Sequence, residues 1–189
     1  MTERKASRNR VRRAPLPLDR ARLDELALAY VARFAISAAK LERYLERKLR
    51  ERGWDGEAGP DLAGIVGRYV ELGYVDDAAY ARAKGGSLLR RGYGPRRVRQ
   101  ALAEAGIDDE TREQTRAGEA AERHAALALA RKRRFGPFGE ARPDRQQREK
   151  QLAAMLRAGH PLDSAREMVD AASESAAEDW AAACDDEEG

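Results

Sequence analysis

The residues of this chain that could do chemistry are few: two histidines, one cysteine and the adjacent carboxylates Asp76-Asp77 among 189 residues. His124 and His160 stand apart, with no cysteine pair beside either. Zinc usually requires four nitrogen or sulfur ligands, or three and a water. Cys184 sits in an acidic stretch, a field that disfavours the thiolate a nucleophile needs. As a lone cysteine it excludes an intramolecular disulfide and fits a reducing, cytoplasmic setting. Asp76-Asp77 follows Gly73 and precedes an apolar helix, so helix capping explains the pair more simply than acid–base or metal chemistry. Gly92-Tyr93-Gly94 opens like a dinucleotide glycine motif, but the third glycine is missing and a helix, not a strand, precedes it. No phosphate-cradling loop ending in Lys-Ser or Lys-Thr occurs. These residues point to a non-enzyme, with no cofactor and no metal, that acts by binding.

The binding chemistry is concentrated in arginine, which outnumbers lysine 30 to 6. Residues 78–103 hold Arg82, Lys84, Arg90, Arg91, Arg96, Arg97 and Arg99 and no acid. Arg131, Lys132, Arg133 and Arg134 form a second cluster. Planar guanidinium suits bidentate contact with carboxylate or phosphate, so these eleven residues are the candidate partner- or DNA-binding set. Arg96 and Arg99 are three apart on a short helix and fall outside its apolar stripe. Arg90 and Arg91 close a helix, where the dipole favours cations in any case. Arg43, Arg47 and Arg50, interleaved with Glu42, Glu46 and Glu51, read as a salt-bridged solvent face.

The elements that must position these residues are helices. Only 13 residues are Val, Ile or Thr, and nowhere do they alternate over a strand's length. Asp19 caps a first helix with Leu23, Leu26, Ala27, Tyr30, Val31 and Phe34 as its apolar stripe. Ser37 caps a second, carrying Leu41, Tyr44, Leu45 and Leu49 and ending at Gly53. Asp61 opens a third. Asp76 caps a fourth, which runs past Gly85-Gly86 to about Arg91. Pro95 fits the first turn of a fifth, and Asp108 caps a weak sixth. A helix over 119–134 follows, then a loop at 136–143. The last two helices cover 144–158 and 163–172, the latter extending towards Trp180.

The layout repeats. Ile36-Ser37, Tyr93-Gly94 and Phe135-Gly136 each follow an arginine and open a helix, and those helices end at Gly53, Gly106 and Gly159. The reading is all-α: an elongated, curved array of three tandem three-helix units over 19–75, 76–117 and 119–172. A basic flexible arm (1–18) and an acidic tail (173–189) flank it. Leu, Ile, Val and Phe total only 31 residues while Ala alone has 37, so each unit has a thin core and leans on its neighbours. No apolar run approaches the roughly 18 residues of a membrane span, and the absence of a heptad seam favours a monomer.

Leu72-Gly73-Tyr74-Val75-Asp76-Asp77, with Tyr80-Ala81 behind it, resembles the signature of the RecX family of bacterial regulatory proteins. The ladder Arg91, Gly94, Val98, Leu102 and Gly106-Ile107 is similar to the segment that follows in that family, and 29–45 and 152–169 resemble its outer units. The resemblance spans about 19–172. It implies a helical protein that binds the RecA–DNA filament in its groove and modulates RecA, chiefly as an inhibitor of ATP hydrolysis and strand exchange in DNA repair and recombination. Acidic side chains of RecA or DNA phosphates would then be the targets of the basic residues. The alternative is a DNA-binding protein that acts without RecA through its basic face. The resemblance also implies structural roles for Gly73, Tyr74, Asp76, Asp77 and Tyr80, with Tyr74 packed at a unit junction. His160 departs from the family's usual aromatic, implying looser docking of the last unit.

Overall fold

The computed structural model describes residues 16–184. Ten α-helices carry them: α1 (Arg20–Val31), α2 (Ala38–Arg52), α3 (Leu62–Glu71), α4 (Asp77–Arg90), α5 (Pro95–Glu104), α6 (Asp109–Gln114), α7 (Glu119–Arg133), α8 (Arg145–Arg157), α9 (Leu162–Asp170) and α10 (Glu174–Ala182). The one β feature among the described residues is an isolated Leu18–Trp54 bridge. The fold is all-α and elongated.

The caps read from sequence form as side-chain bonds. Asp19, Ser37, Asp61, Asp76 and Asp108 each accept the amide three residues on, giving the first turn of a helix one of the acceptors it lacks. Pro95 occupies the first position of α5, where its missing N–H costs nothing.

The apolar residues segregate into three clusters in chain order. The first joins Leu18, Leu23, Leu41, Leu45, Ile65, Tyr69 and Val75 from α1–α3 and their flanks. The middle one has four buried members, Ala81, Leu102, Ala105 and Ile107. The last joins α7–α10 through Leu127, Leu152, Met155, Met168 and Ala177. Neighbours dock in series: α2 bonds to α4 and to the turn after α5, while α5 and the turn before it bond to the turn after α8.

Several expectations need correction. Residues 1–15 of the basic arm lie outside the described residues, but Leu18 is not arm. It is fully buried, its amide donates to the Gly53 carbonyl (2.9 Å), and its carbonyl accepts from the Asp55 amide (2.8 Å). The acidic stretch does not begin as a solvated tail at 173, nor does α9 extend to Trp180. Ala171 turns to an extended conformation and Ser173 caps the separate helix α10 (3.1 Å to the Ala176 amide). Its small face, Ala177 and Ala181, is fully buried in the last cluster. The Arg123 guanidinium lies 4.6 Å over the Trp180 ring, and Cys184 is buried. Residues 185–189 lie outside the described residues. Phe34 departs from its stripe and stands half exposed, and Tyr74 is at no junction. It is 51% exposed, and its ring meets that of Tyr69 edge-on (5.9 Å) within the same cluster's flank.

Candidate partner-binding faces

The acid-free run 78–103 spans α4, a tight turn and α5, and the two helices pack closely because Gly85 faces Val98 with no side chain between. Helical periodicity then divides the seven predicted cations. Arg82, Arg90, Arg96 and Arg99 line one side of the pair; Lys84, Arg91 and Arg97 line the other. Arg97 and Arg99 lie about 200° apart around α5, so adjacency in sequence puts them on different faces.

The first face is a cleft of about 1240 Å³ between α4, α5, α6 and α7. Its floor is apolar: Leu89, Val98, Leu102, Ala121 and Ala125. Gly86 lets the Arg90 guanidinium fold back over the helix, because a Cβ there would meet Arg90 Nη1 at 3.2 Å. Two further arginines of the rim escaped the sequence reading. Arg112 pairs with Asp109, and Arg116 pairs with Glu122 (3.2 Å), which raises the Arg116 pKa above its ordinary value through the shared hydrogen bond. No signal marked them, since α6 is otherwise acidic. Arg82, Arg90, Arg96 and Arg99, by contrast, meet no carboxylate among the described residues within ion-pair distance. Four guanidinium groups without an ion-pair partner therefore line one apolar-floored cleft, which Asp109, Glu113 and Glu122 line as well.

The second face belongs to α2 as much as to α4 and α5. Lys84, Arg91 and Arg97 share a hollow of about 410 Å³ with Lys40, Tyr80 and Tyr93. Lys40 Nζ donates to the Tyr80 hydroxyl (2.5 Å), and the Arg91 guanidinium lies 5.4 Å over the Tyr93 ring. The expected salt-bridged face of α2 forms only in part. Arg47 meets Glu51 (3.6 Å) and Arg50 meets Glu46 (3.8 Å), but Arg43 donates to the Glu104 carbonyl across the junction (3.3 Å).

The second basic cluster joins neither face. Arg131 pairs with Glu178 of α10, and Arg134, in the left-handed conformation that ends α7, pairs with Glu140 (3.5 Å). Lys132 and Arg133 are exposed at that end of α7, beyond the residues that line the cleft.

Two junctions hold these faces in register. Asp76 caps α4, and Asp77 reaches back to accept the Ala38 amide in the first turn of α2 (2.8 Å). Adjacent carboxylates thus cap two helices from different clusters. On the far side, the Gly94 amide donates to the Ala158 carbonyl (2.9 Å) and the Arg96 amide to the Gly159 carbonyl (3.1 Å). His160 does not loosen this contact. It is fully buried and its Nε2 donates to the Gly92 carbonyl (3.1 Å). Burial holds its pKa below the ordinary 6.5, against the weaker opposing effect of the Gly92 bond. Among the described residues no group of three or more His, Cys, Asp or Glu could hold a metal ion, and no helix is long and apolar enough to cross a membrane.

An array of small helical clusters with charged outer faces defines a class: a helical-repeat protein that binds a partner. The comparisons with known proteins agree. A family model for the second three-helix domain of RecX matches residues 76–115. The regulatory protein RecX of Myxococcus xanthus is 34% identical over 159 residues, covering 78% of this chain and 84% of that one. That of Thermus thermophilus is 39% identical over 88 residues, covering 47% of this chain and 58% of that one. The crystal structure of RecX from Lactobacillus salivarius superposes with a TM-score of 0.63 at 19% identity, covering 79% of this chain and 94% of that chain. The chain belongs to the RecX family of bacterial regulatory proteins, and its general function is to modulate the recombinase RecA without catalysis of its own.

Proposed function

We propose that this protein lodges in the groove of the RecA–DNA filament as a cytoplasmic monomer and inhibits RecA-dependent ATP hydrolysis and strand exchange. In this reading three tandem units, about 19–75, 76–117 and 119 onward, track the groove, and the cleft of the middle one makes the decisive contact. The observation that supports it is the convergence of Arg82, Arg90, Arg96 and Arg99, none paired with a carboxylate among the described residues, on an apolar floor. Guanidinium groups left without counter-charges match acidic side chains of a protein wall, and the floor offers apolar area to bury with them. Lys84, Arg91, Arg97 and the 131–134 cluster have secondary parts, with DNA phosphates as further targets.

The test is charge reversal by face. Arg96→Glu with Arg99→Glu abolishes inhibition of RecA-dependent ATP hydrolysis while circular dichroism stays helical. Arg97→Glu, on the other face, leaves most of it. Full inhibition by the double variant rejects the cleft.

A further inference from the structure

The cleft is electrically two-sided. Its four arginines without an ion-pair partner, Arg82, Arg90, Arg96 and Arg99, all come from α4 and α5. Its three acids, Asp109, Glu113 and Glu122, come from α6 and α7, and there Arg112 and Arg116 already pair with Asp109 and Glu122. One margin therefore carries free positive charge and the other is neutralised from within. Between them runs the floor of Leu89, Val98, Leu102 and the alanines of α7.

The two glycines of α4 differ in a telling way. Gly85 is explained by packing, since a Cβ there would touch Val98 at 3.4 Å. Gly86 is not. A Cβ there would meet only Nη1 of Arg90, the flexible end of a side chain, at 3.2 Å. An interior glycine weakens a helix relative to alanine, and nothing in the fold itself requires this one. Gly86 stands one turn from Arg82 and one turn from Arg90, in a single row about 12 Å long. The row is thus two arginines with a notch between them, open to the cleft. A second loose end lies opposite: Arg112, on the α6 wall, has a buried Nε–H with no acceptor.

We infer that this cleft takes an amphipathic α-helix of the partner protein, acidic along one flank only. The inference rests on the proposed docking of the cleft on RecA and names the shape and charge of what enters it. A helix with its side chains is about 10 Å across, so a cleft of about 1240 Å³ takes about three turns of one. A strand or loop would bury backbone donors against an apolar floor that offers them no partners, whereas a helix satisfies its own. The apolar stripe lies on the floor and the backbone approaches α4 at the Gly86 notch. The acidic flank meets the α4–α5 arginines. The opposite flank carries neutral or basic residues beside Glu113 and Glu122, and a polar group there meets Arg112 Nε.

The test is photocrosslinking on RecA filaments from the rim, with benzoylphenylalanine in place of Gln114 in the full chain, and mass spectrometry of the captured RecA segment. A helical segment with apolar residues at three- and four-residue steps and acids on one flank is expected. Made as a labelled peptide, that segment binds the full chain, and Arg96→Glu with Arg99→Glu weakens it at least about tenfold. Gly86→Ala raises the urea midpoint of folding yet weakens inhibition of RecA about tenfold by filling the notch, a divergence that a merely structural glycine does not produce. Capture of a strand or loop overturns the helix, and if Arg96→Glu with Arg99→Glu still abolishes inhibition, the cleft itself stands as the RecA contact. No capture with inhibition intact overturns that contact, and the helix with it. Gly86→Ala inhibiting like the parent chain, or lowering the midpoint, overturns the close approach on which the inference depends.

Discussion

At the α2–α4 junction the Ser37 hydroxyl donates to the Ala105 carbonyl (2.6 Å), Asp77 accepts the Ala38 amide and Lys40 reaches Tyr80, so side chains make the dock. At the α5–α8 junction two backbone amides meet two backbone carbonyls directly, and a single side chain, His160, takes part. The topology is the same in both: the start of one helix sits on the glycine turn that ends another. Ser37 stands where Gly94 stands, and Gly106-Ile107 where Gly159-His160 stands. The difference shows that one docking geometry can be built from either chemistry. The side-chain form tolerates change at its periphery, whereas the backbone form admits no added atom at its centre.

The sharpest way to break this comparison is a methyl group. A Cβ on Gly94 would lie 2.4 Å from Gly159, and one on Gly159, at φ +98°, would lie 2.5 Å from the Arg97 nitrogen. Gly159→Ala should cost about 3 kcal/mol or more through combined overpacking and left-handed strain, read as a lowered midpoint in urea unfolding. Gly106→Ala also clashes, but with the Ala39 methyl at 2.3 Å. Pairing it with Ala39→Gly should therefore return about 1 kcal/mol in a double-mutant cycle. No trimming of a side chain can rescue Gly159→Ala; recovery there by any neighbouring substitution to glycine would dissolve the distinction.

A smaller effect comes from Ser37→Ala, which strands a buried carbonyl and removes the cap of α2. About 1–2 kcal/mol should be lost in thermal or chemical unfolding. The mildest test is pH. His160 is neutral, with its proton on Nε2 and a buried Nδ1 that has no partner. Its folded pKa is lowered, so the unfolded chain takes up the proton first. Stability is complete above about pH 6.5 and falls below it, by at most about 1.4 kcal/mol per pH unit. His160→Phe should flatten that part of the profile, while Ser37→Ala should leave its shape intact. A profile equally steep with phenylalanine would place the titrating group elsewhere.

Most helices were legible because their ends carry local chemistry. Asp19, Ser37, Asp76 and Asp108 cap, Pro95 starts and Gly106 stops, each through contacts within a few residues. The faces were not legible. Whether Arg97 and Arg99 cooperate depends on helix phase relative to a neighbour, and Lys40 and Arg43 reach the same surface from more than 40 residues upstream. An acid-free run reports charge, not direction. The acidic C-terminal stretch misled for a related reason. Its Ala177 and Ala181 are too small to register as an apolar stripe, yet they let α10 settle against α7, where Arg131 meets Glu178.

The middle cluster has only Ala81, Leu102, Ala105 and Ile107 as fully enclosed apolar side chains. So small an interior offsets little of the conformational entropy of some forty ordered residues. Excised as a fragment, 76–117 should remain a random coil. The segment that supplies all seven cations of the acid-free run is thus a keystone, held in shape by the pressure of its flanks, and proteolysis on either side of it would silence the regulator at a stroke.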